Sequence, residues 1–265
     1  MTTIGRNLEP CQKAFHGKSR SPVIIFGIFF LLIWAGFLLA LEPKDGARIM
    51  ETSHIFIDGP GCSGIVIHHQ RGFALTAEHC LPDSEMPEND FWVSMGPDDE
   101  NKRMACLTQI LARDKEYDLA LLDISQCHPT QSVRVLRKGR DILAGQQVFI
   151  FGNPLGRAYR NSLSVGHVAN PKRFSYYGPD HSENDIYFLQ FSGGVWRGNS
   201  GGAIINKDGH LIGLVQALAI DVYMSYEERS VVRIPHIGIG IHRDTIIRFL
   251  SENIQAKQLN EALSR

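Results

Sequence analysis

The chain has 265 residues, 43% of them hydrophobic and 21% charged, with a net charge of −1. This is ordinary globular composition, enough for one large domain or two modest ones. The near-zero charge excludes a nucleic-acid partner held by bulk electrostatics, and neither an internal repeat nor a low-complexity tract points to a solenoid or a disordered chain.

The first element in chain order is an uncharged run, Pro22 to Leu41, that follows a polar tail of residues 1–21. Twenty helical residues at about 1.5 Å each span about 30 Å, the hydrocarbon core of a bilayer, so 22–41 is predicted to be one N-terminal transmembrane helix. The alternative is a cleaved signal peptide, whose apolar region is about 7–15 residues with small residues at its cleavage site. Here the run is longer, and Leu38 stands two places before Ala40. Arg6, Lys13, Lys18 and Arg20 precede the run, whereas Lys44 and Arg48 after it come with Glu42 and Asp45. That asymmetry predicts a cytoplasmic N-terminus and places about residue 45 onward outside the cytoplasmic (inner) membrane, in a periplasmic or extracellular space.

Cys11 falls on the cytoplasmic side; Cys62, Cys80, Cys106 and Cys127 fall on the exported side. An even number in an oxidising compartment allows two disulfides, with four buried free thiols as the alternative. There is no C-x-x-C pair, which argues against a zinc site, and no metal or other cofactor is expected.

After a linker at 42–52, short β-patterned runs follow one another between turns. They are His54–Ile57, Gly64–His68, Gly72–Thr76, Phe91–Met95, Arg103–Arg113, Tyr117–Ile124, Gln147–Phe151, Ser162–Ala169, Ile186–Phe191, Ala203–Asn206, His210–Leu218 and His236–Ile241. A dozen strands over about 200 residues are too many for one small barrel and predict an all-β pair of barrels, at about 53–130 and 140–241. Cys106 and Cys127 sit on opposite arms of the hairpin around Lys115, which suggests a cross-strand bridge. Pro171–Asn184 and Ala219–Pro235 fall between these runs and are expected to be loops. One helix closes the domain at about 244–254, with Asp244 as N-cap and Ile246, Ile247, Leu250 and Ile254 at helical spacing. Residues 255–265 read as a polar, frayed tail.

Within this pattern stands Arg197-Gly198-Asn199-Ser200-Gly201-Gly202-Ala203. A serine among glycines is either a turn residue or a nucleophile with open backbone around it. The segment also fits the G-x-S-x-G elbow of α/β-hydrolases, but that motif requires a following helix, and here a β-hairpin follows. Upstream lie Thr76-Ala77-Glu78-His79-Cys80 and Tyr117-Asp118-Leu119-Ala120-Leu121-Leu122.

With these three motifs in this order, residues 60–250 resemble the chymotrypsin-like (trypsin-fold) serine peptidases, closest to their bacterial HtrA/Deg-type branch. Gly152-Asn153-Pro154-Leu155-Gly156 and Ile239-Gly240-Ile241 add to the likeness. Such proteases commonly carry a C-terminal peptide-binding PDZ domain; with eleven residues after the helix, none is expected here. The resemblance implies a double six-stranded β-barrel over 53–254, with His79 as base, Asp118 as its orienting acid and Ser200 as nucleophile. The bland alternatives are a packed histidine at a strand end and a solvated turn carboxylate.

By the same analogy, the oxyanion hole lies in the Gly198-Asn199-Ser200 loop, with the N–H groups of Gly198 and Ser200 as donors. Cys62 and Cys80 match the family disulfide beside the histidine. The substrate pocket is expected from Gly194 and its neighbours together with Gln216, Ala217 and Leu218, and it contains no acid, which favours a small or medium apolar P1 residue. Asn199 stands where zymogen-type relatives carry an aspartate, so no activation by N-terminal trimming is expected. The implied function is a membrane-anchored serine endopeptidase acting on protein or peptide substrates, with no nucleic acid involved. The alternatives are a catalytically silent protease fold kept for binding, or an esterase using the same three residues.

Overall fold

The structure is a computed structural model that describes residues 43–82, 90–97, 101–174, 187–224 and 229–263. The segment read as membrane-spanning, 22–41, lies outside the described residues; among those described, no helix is long and apolar enough to cross a membrane.

Twelve antiparallel strands close into two six-stranded barrels. The first holds β1 (His54–Ile57), β2 (Cys62–His68), β3 (Phe73–Thr76), β4 (Asp90–Met95), β5 (Met104–Asp114) and β6 (Leu119–Asp123), in the order β1-β2-β3-β6-β5-β4. The second holds β7 (Gln147–Gly152), β8 (Ser162–Phe174), β9 (Tyr187–Ser192), β10 (Ala203–Asn206), β11 (Leu211–Met224) and β12 (Arg229–His242), in the order β10-β11-β12-β9-β8-β7. Each strand predicted from the sequence is present.

The strands that meet at the seam are apolar on both faces, which is why they read as unbroken apolar runs rather than alternating ones. In β2, Val66 fills the first barrel, while Ile65 and Ile67 face the seam. In β6, Ala120 and Leu122 fill the barrel, while Leu119 and Leu121 face out. The second barrel mirrors this: Val148 and Ile150 of β7 and Ile204 of β10 point inward, and Phe149, Phe151, Ala203 and Ile205 join the seam.

Four regions differ from the sequence reading. The expected loop at Pro171–Asn184 is strand β8 as far as Phe174, and 175–184 lie outside the described residues. The expected loop at Ala219–Pro235 is mostly ladder, because β11 and β12 continue pairing out to Met224 and Arg229 as a long ribbon. The expected linker at 42–52 is helix α1 (Pro43–Ser53), which runs straight into β1 and packs Ile49 on the seam core. The expected frayed tail contains helix α3 (Ala256–Ala262). Seven residues are too few to hold a helix by propensity alone. This one is held by docking: Leu259 and Leu263 pack on the seam, the Ala262 carbonyl accepts from Val135 N at 2.9 Å, and Glu261 meets His68 Nε2 at 2.8 Å.

The predicted closing helix is α2 (Arg243–Asn253), but its N-cap is His242 rather than Asp244. β12 continues to His242, so the N-cap lies two residues earlier, and the imidazole Nδ1 accepts from Asp244 N at 3.1 Å. Asp244 instead sits in the first turn, where a carboxylate favours the helix dipole, and accepts from Arg243 Nε at 2.9 Å. Burial lowers the His242 pKa to about 4, which keeps the ring neutral and able to accept. His54, fully buried at the start of β1, is also pushed down to about 4 by burial; Asn153 and the Gly64 backbone offset this only in part.

Both disulfides are formed. Cys62 on β2 is bonded to Cys80, and Cys106 on β5 to Cys127. The second is not cross-strand as expected, because Cys127 lies beyond β6 in the 3-10 turn Ser125–Cys127. All four sulfurs pack in the core of the first barrel. Peptide mapping of the unreduced protein is expected to recover these two pairs. The double substitution Cys106→Ser/Cys127→Ser is expected to lower unfolding free energy by about 2–4 kcal/mol in denaturant titration.

Candidate active site

His79 and Asp118 are 39 positions apart in sequence, but the pairing of β3 with β6, Thr76 opposite Ala120, brings them to the same end of one ladder. His79 lies in the 3-10 turn Glu78–Cys80 directly after β3, and the disulfide to Cys62 fixes the end of that turn. Asp118 precedes β6 at a φ of 55°, a left-handed conformation that aspartate tolerates better than most residues.

From there Asp118 grips the turn through two groups. Its carboxylate accepts from His79 Nδ1, with both oxygens at 2.9 Å, and from the His79 backbone N–H at 3.0 Å. Its carbonyl accepts from Glu78 N at 3.1 Å. The carboxylate fixes the imidazole tautomer with the proton on Nδ1, which leaves Nε2 as the basic nitrogen. The hydrogen bond that His79 donates to Asp118 raises the His79 pKa above its ordinary value, against the opposing effect of partial burial; the charges of Asp118 and Glu78 act in the same upward direction.

The serine loop enters from the second barrel. Asn199 N donates to Trp196 O at 3.0 Å, Gly202 N to Asn199 O at 2.8 Å, and Gly201 N and Val215 N bond Val215 O and Gly202 O at 2.7 Å each, tying the loop to β11. Glycine is sterically required in this loop. A Cβ on Gly198, at φ 97°, would lie 2.1 Å from Asn153 O, and one on Gly201, at φ 78°, would lie 2.2 Å from Ser63 O. Ser63 N donates to Ser200 O at 2.9 Å, and Cys80 Sγ lies 3.7 Å from the same oxygen, so the loop sits directly against the histidine turn.

The Ser200 hydroxyl donates to Gln216 O at 3.1 Å rather than to His79. Gln216 is the extra residue of a bulge, since Val215 pairs with Gly240 and Ala217 with Ile239, and the bulge turns its carbonyl toward the serine. Among the described residues, the N–H groups of Gly198 and Ser200 donate to no protein acceptor. Asn199 is buried with Oδ1 unbonded, and as an amide it carries no charge there.

The remaining expected residues fall around this loop. Gly194 is exposed, and its carbonyl accepts from Ser164 Oγ at 3.2 Å. Ala217 and Leu218 lie on β11 opposite Ile239 and Gly238, and the Phe191 ring fills the space a Cβ on Gly238 would need, within 2.3 Å. Sulfurs of Cys62 and Cys80 and a ring nitrogen of His79 lie within 4.8 Å of one another, but the disulfide leaves no thiolate to ligate a metal.

Two supports were not read from the sequence. Glu78 accepts from Arg113 Nε at 3.0 Å and Nη2 at 2.6 Å, and Arg113 Nη1 also donates to Pro82 O, which braces the histidine turn from β5. The signal available was a charged residue beside His79 in an otherwise apolar stretch; nothing local points to Arg113. Ser63 on β2 is the other.

The family model for the trypsin-like peptidase domain matches residues 62–214. A "Serine protease HtrA-like" of Staphylococcus epidermidis is 31% identical over 229 residues, 84% of this chain and 37% of that protein. A "Serine protease Do-like HtrA" of Bacillus subtilis is 30% identical over 106 residues, 40% of this chain and 23% of that protein. The match thus spans little more than a third of the first relative's length and under a quarter of the second's. Among solved structures, a serine endoprotease from Yersinia pestis aligns with a TM-score of 0.55 at 21% identity, over 80% of this chain and 66% of the other. The HtrA-type protease AlgW with decapeptide aligns at 0.52 and 22% identity, over 72% and 50%. The likeness to these structures is one of fold, and the family match covers most of both barrels: the chain belongs to the trypsin-like peptidase family.

Proposed function

We propose that the protein is a membrane-anchored serine endopeptidase acting outside the cytoplasmic membrane. The observation that carries this reading is Asp118 bonded to both His79 Nδ1 and His79 N, beside a serine loop with two unspent N–H groups. In the proposed reaction Ser200 leaves Gln216 O and gives its proton to His79 Nε2 as Oγ attacks the scissile carbonyl. The oxyanion receives the Gly198 and Ser200 N–H groups. The imidazolium, stabilised by ionised Asp118, protonates the leaving amine; water then enters by the same route and frees the acyl group. The pocket beside Gly194, Gln216, Ala217 and Leu218 takes a small or medium apolar P1 residue, consistent with Phe191 beneath Gly238.

The contact of Ser200 with Gln216 favours one second reading, a silent protease fold kept for binding. A fluorophosphonate probe separates the two. Wild type is expected to be labelled and Ser200→Ala not, and a peptide panel is expected to show cleavage after alanine or valine rather than after arginine or lysine. Wild-type protein that ignores the probe while a control hydrolase reacts would refute the enzyme, and ester turnover without peptide turnover would assign an esterase.

The pH profile gives an independent check. Only neutral His79 can take the serine proton, and Asp118 favours the protonated ring. Activity is therefore expected to fall as pH drops through a midpoint above 6.5, read as the acid limb of kcat/KM. Asp118→Asn is expected to lower kcat by about 10⁴-fold, the loss typical of a wrong tautomer.

Anchoring through residues 22–41 rests on the uncharged run and its flanking basic residues. The full chain is expected to stay in the pellet after alkaline carbonate extraction, while a chain lacking residues 1–41 becomes soluble. A soluble mature form beginning near residue 42 would indicate a cleaved signal instead.

A further inference from the structure

Ser63 is completely buried on β2, between a half-cystine and a glycine. A buried hydroxyl is costly unless its one proton and two lone pairs are all used. Here they are. Asn153 N and Nδ2 donate to Ser63 Oγ at 2.9 and 3.0 Å, which fills both lone-pair positions. The hydroxyl proton is thereby left one acceptor, the Gly198 carbonyl at 2.7 Å. The backbone of Ser63 is committed as well: its N–H to Ser200 O at 2.9 Å, and its carbonyl to Thr76 Oγ1 at 2.7 Å.

These bonds bear on the direction of the Gly198 N–H. That N–H belongs to the peptide joining Arg197 to Gly198, and a glycine at φ 97° sets little barrier to rotation of the peptides on either side. The orientation must come from the carbonyls. The Gly198 carbonyl is held by Ser63 Oγ, and the N–H at the other end of that peptide, on Asn199, by Trp196 O. The Arg197 carbonyl is held by Leu155 N at 2.6 Å, in the turn that Asn153 begins and closes with its own carbonyl on Gly156 N at 2.8 Å. One hydroxyl therefore links both clamps on Gly198, one directly and the other through Asn153.

We infer that Ser63 is a positioning residue that aims the Gly198 N–H at the developing oxyanion, across the junction of the two barrels. The inference rests on the proposed serine-peptidase reading. Ser63 touches no reacting atom; it acts through Gly198.

The test compares two ligands with the same peptide and valine at P1. A trifluoromethyl ketone adds the serine oxygen and generates the oxyanion; the corresponding alcohol does not. Tight, slow binding of the ketone to wild type establishes the peptidase reading first, and its absence refutes that reading rather than the role of Ser63. Ser63→Ala is then expected to lower kcat and ketone affinity by about 10- to 100-fold, short of the 10²–10³ typical of losing a donor outright, with KM, alcohol affinity and the acid-limb midpoint unchanged. Should the alanine variant fail to fold, Ser63→Gly removes the same hydroxyl and is read by the same ratio of ketone to alcohol affinity. An unchanged ratio in a folded variant overturns the inference, as does equal loss of both ligands, which marks general damage to the pocket.

Discussion

The arrangement depends on one packing constraint. Strands β2, β6, β7 and β10 bury apolar side chains on both faces, so neither barrel is complete without a cover on its outer face. At about 25 cal/mol per Å² of apolar surface, exposing Phe149, Phe151, Leu119, Leu121 and their neighbours to water would cost more than a domain's net stability. Each barrel is therefore the other's cover. The loops at the mouth of the seam are brought together as a by-product: the histidine turn at the end of β3 from one side and the serine loop before β10 from the other.

On that scaffold, polar groups fix orientation. Asp118 holds the histidine turn through its carboxylate and its carbonyl, and the Cys62–Cys80 bridge fixes the end of that turn. The Arg113–Glu78 pair braces the turn from below with the charged head groups joined at 2.6 Å. Pairing matters there because a half-buried charge without a partner would be costly. Ser63 and Asn153 do for the serine loop what Asp118 does for the histidine: they tie down the carbonyls on either side of Gly198, so that few backbone orientations remain.

Much of this was legible in the sequence because it is encoded locally. The twelve strands announce themselves by runs such as Phe149-Ile150-Phe151 and Ala203-Ile204-Ile205 between glycine and aspartate turns, and the three motifs mark the residues that now meet. What escaped is what tertiary contact decides. Residues 256–262 look polar because only one narrow face of that helix touches the seam. The ribbon beyond Ala219 carries β-prone residues such as Ile220, Val222, Val231 and Val232, but nothing local says that the ladder of β11 and β12 continues through them. His242 displaced Asp244 as N-cap because β12 ran further than expected. Ser63 could not be assigned a role at all, since its partners lie 90 and 135 positions away and a serine beside a glycine has no signature.

The two buried imidazoles give the molecule an order of failure under acidification. His54 and His242, both held near 4, stay neutral in the folded protein at pH values where an unfolded chain would already take up their protons, so they draw stability down only as the medium drops below about 6.5 toward 4. His79 is displaced the other way and charges earlier in the same descent. The folded protein thus meets acid in a set sequence, with the ring in the turn after β3 protonated before the two buried rings.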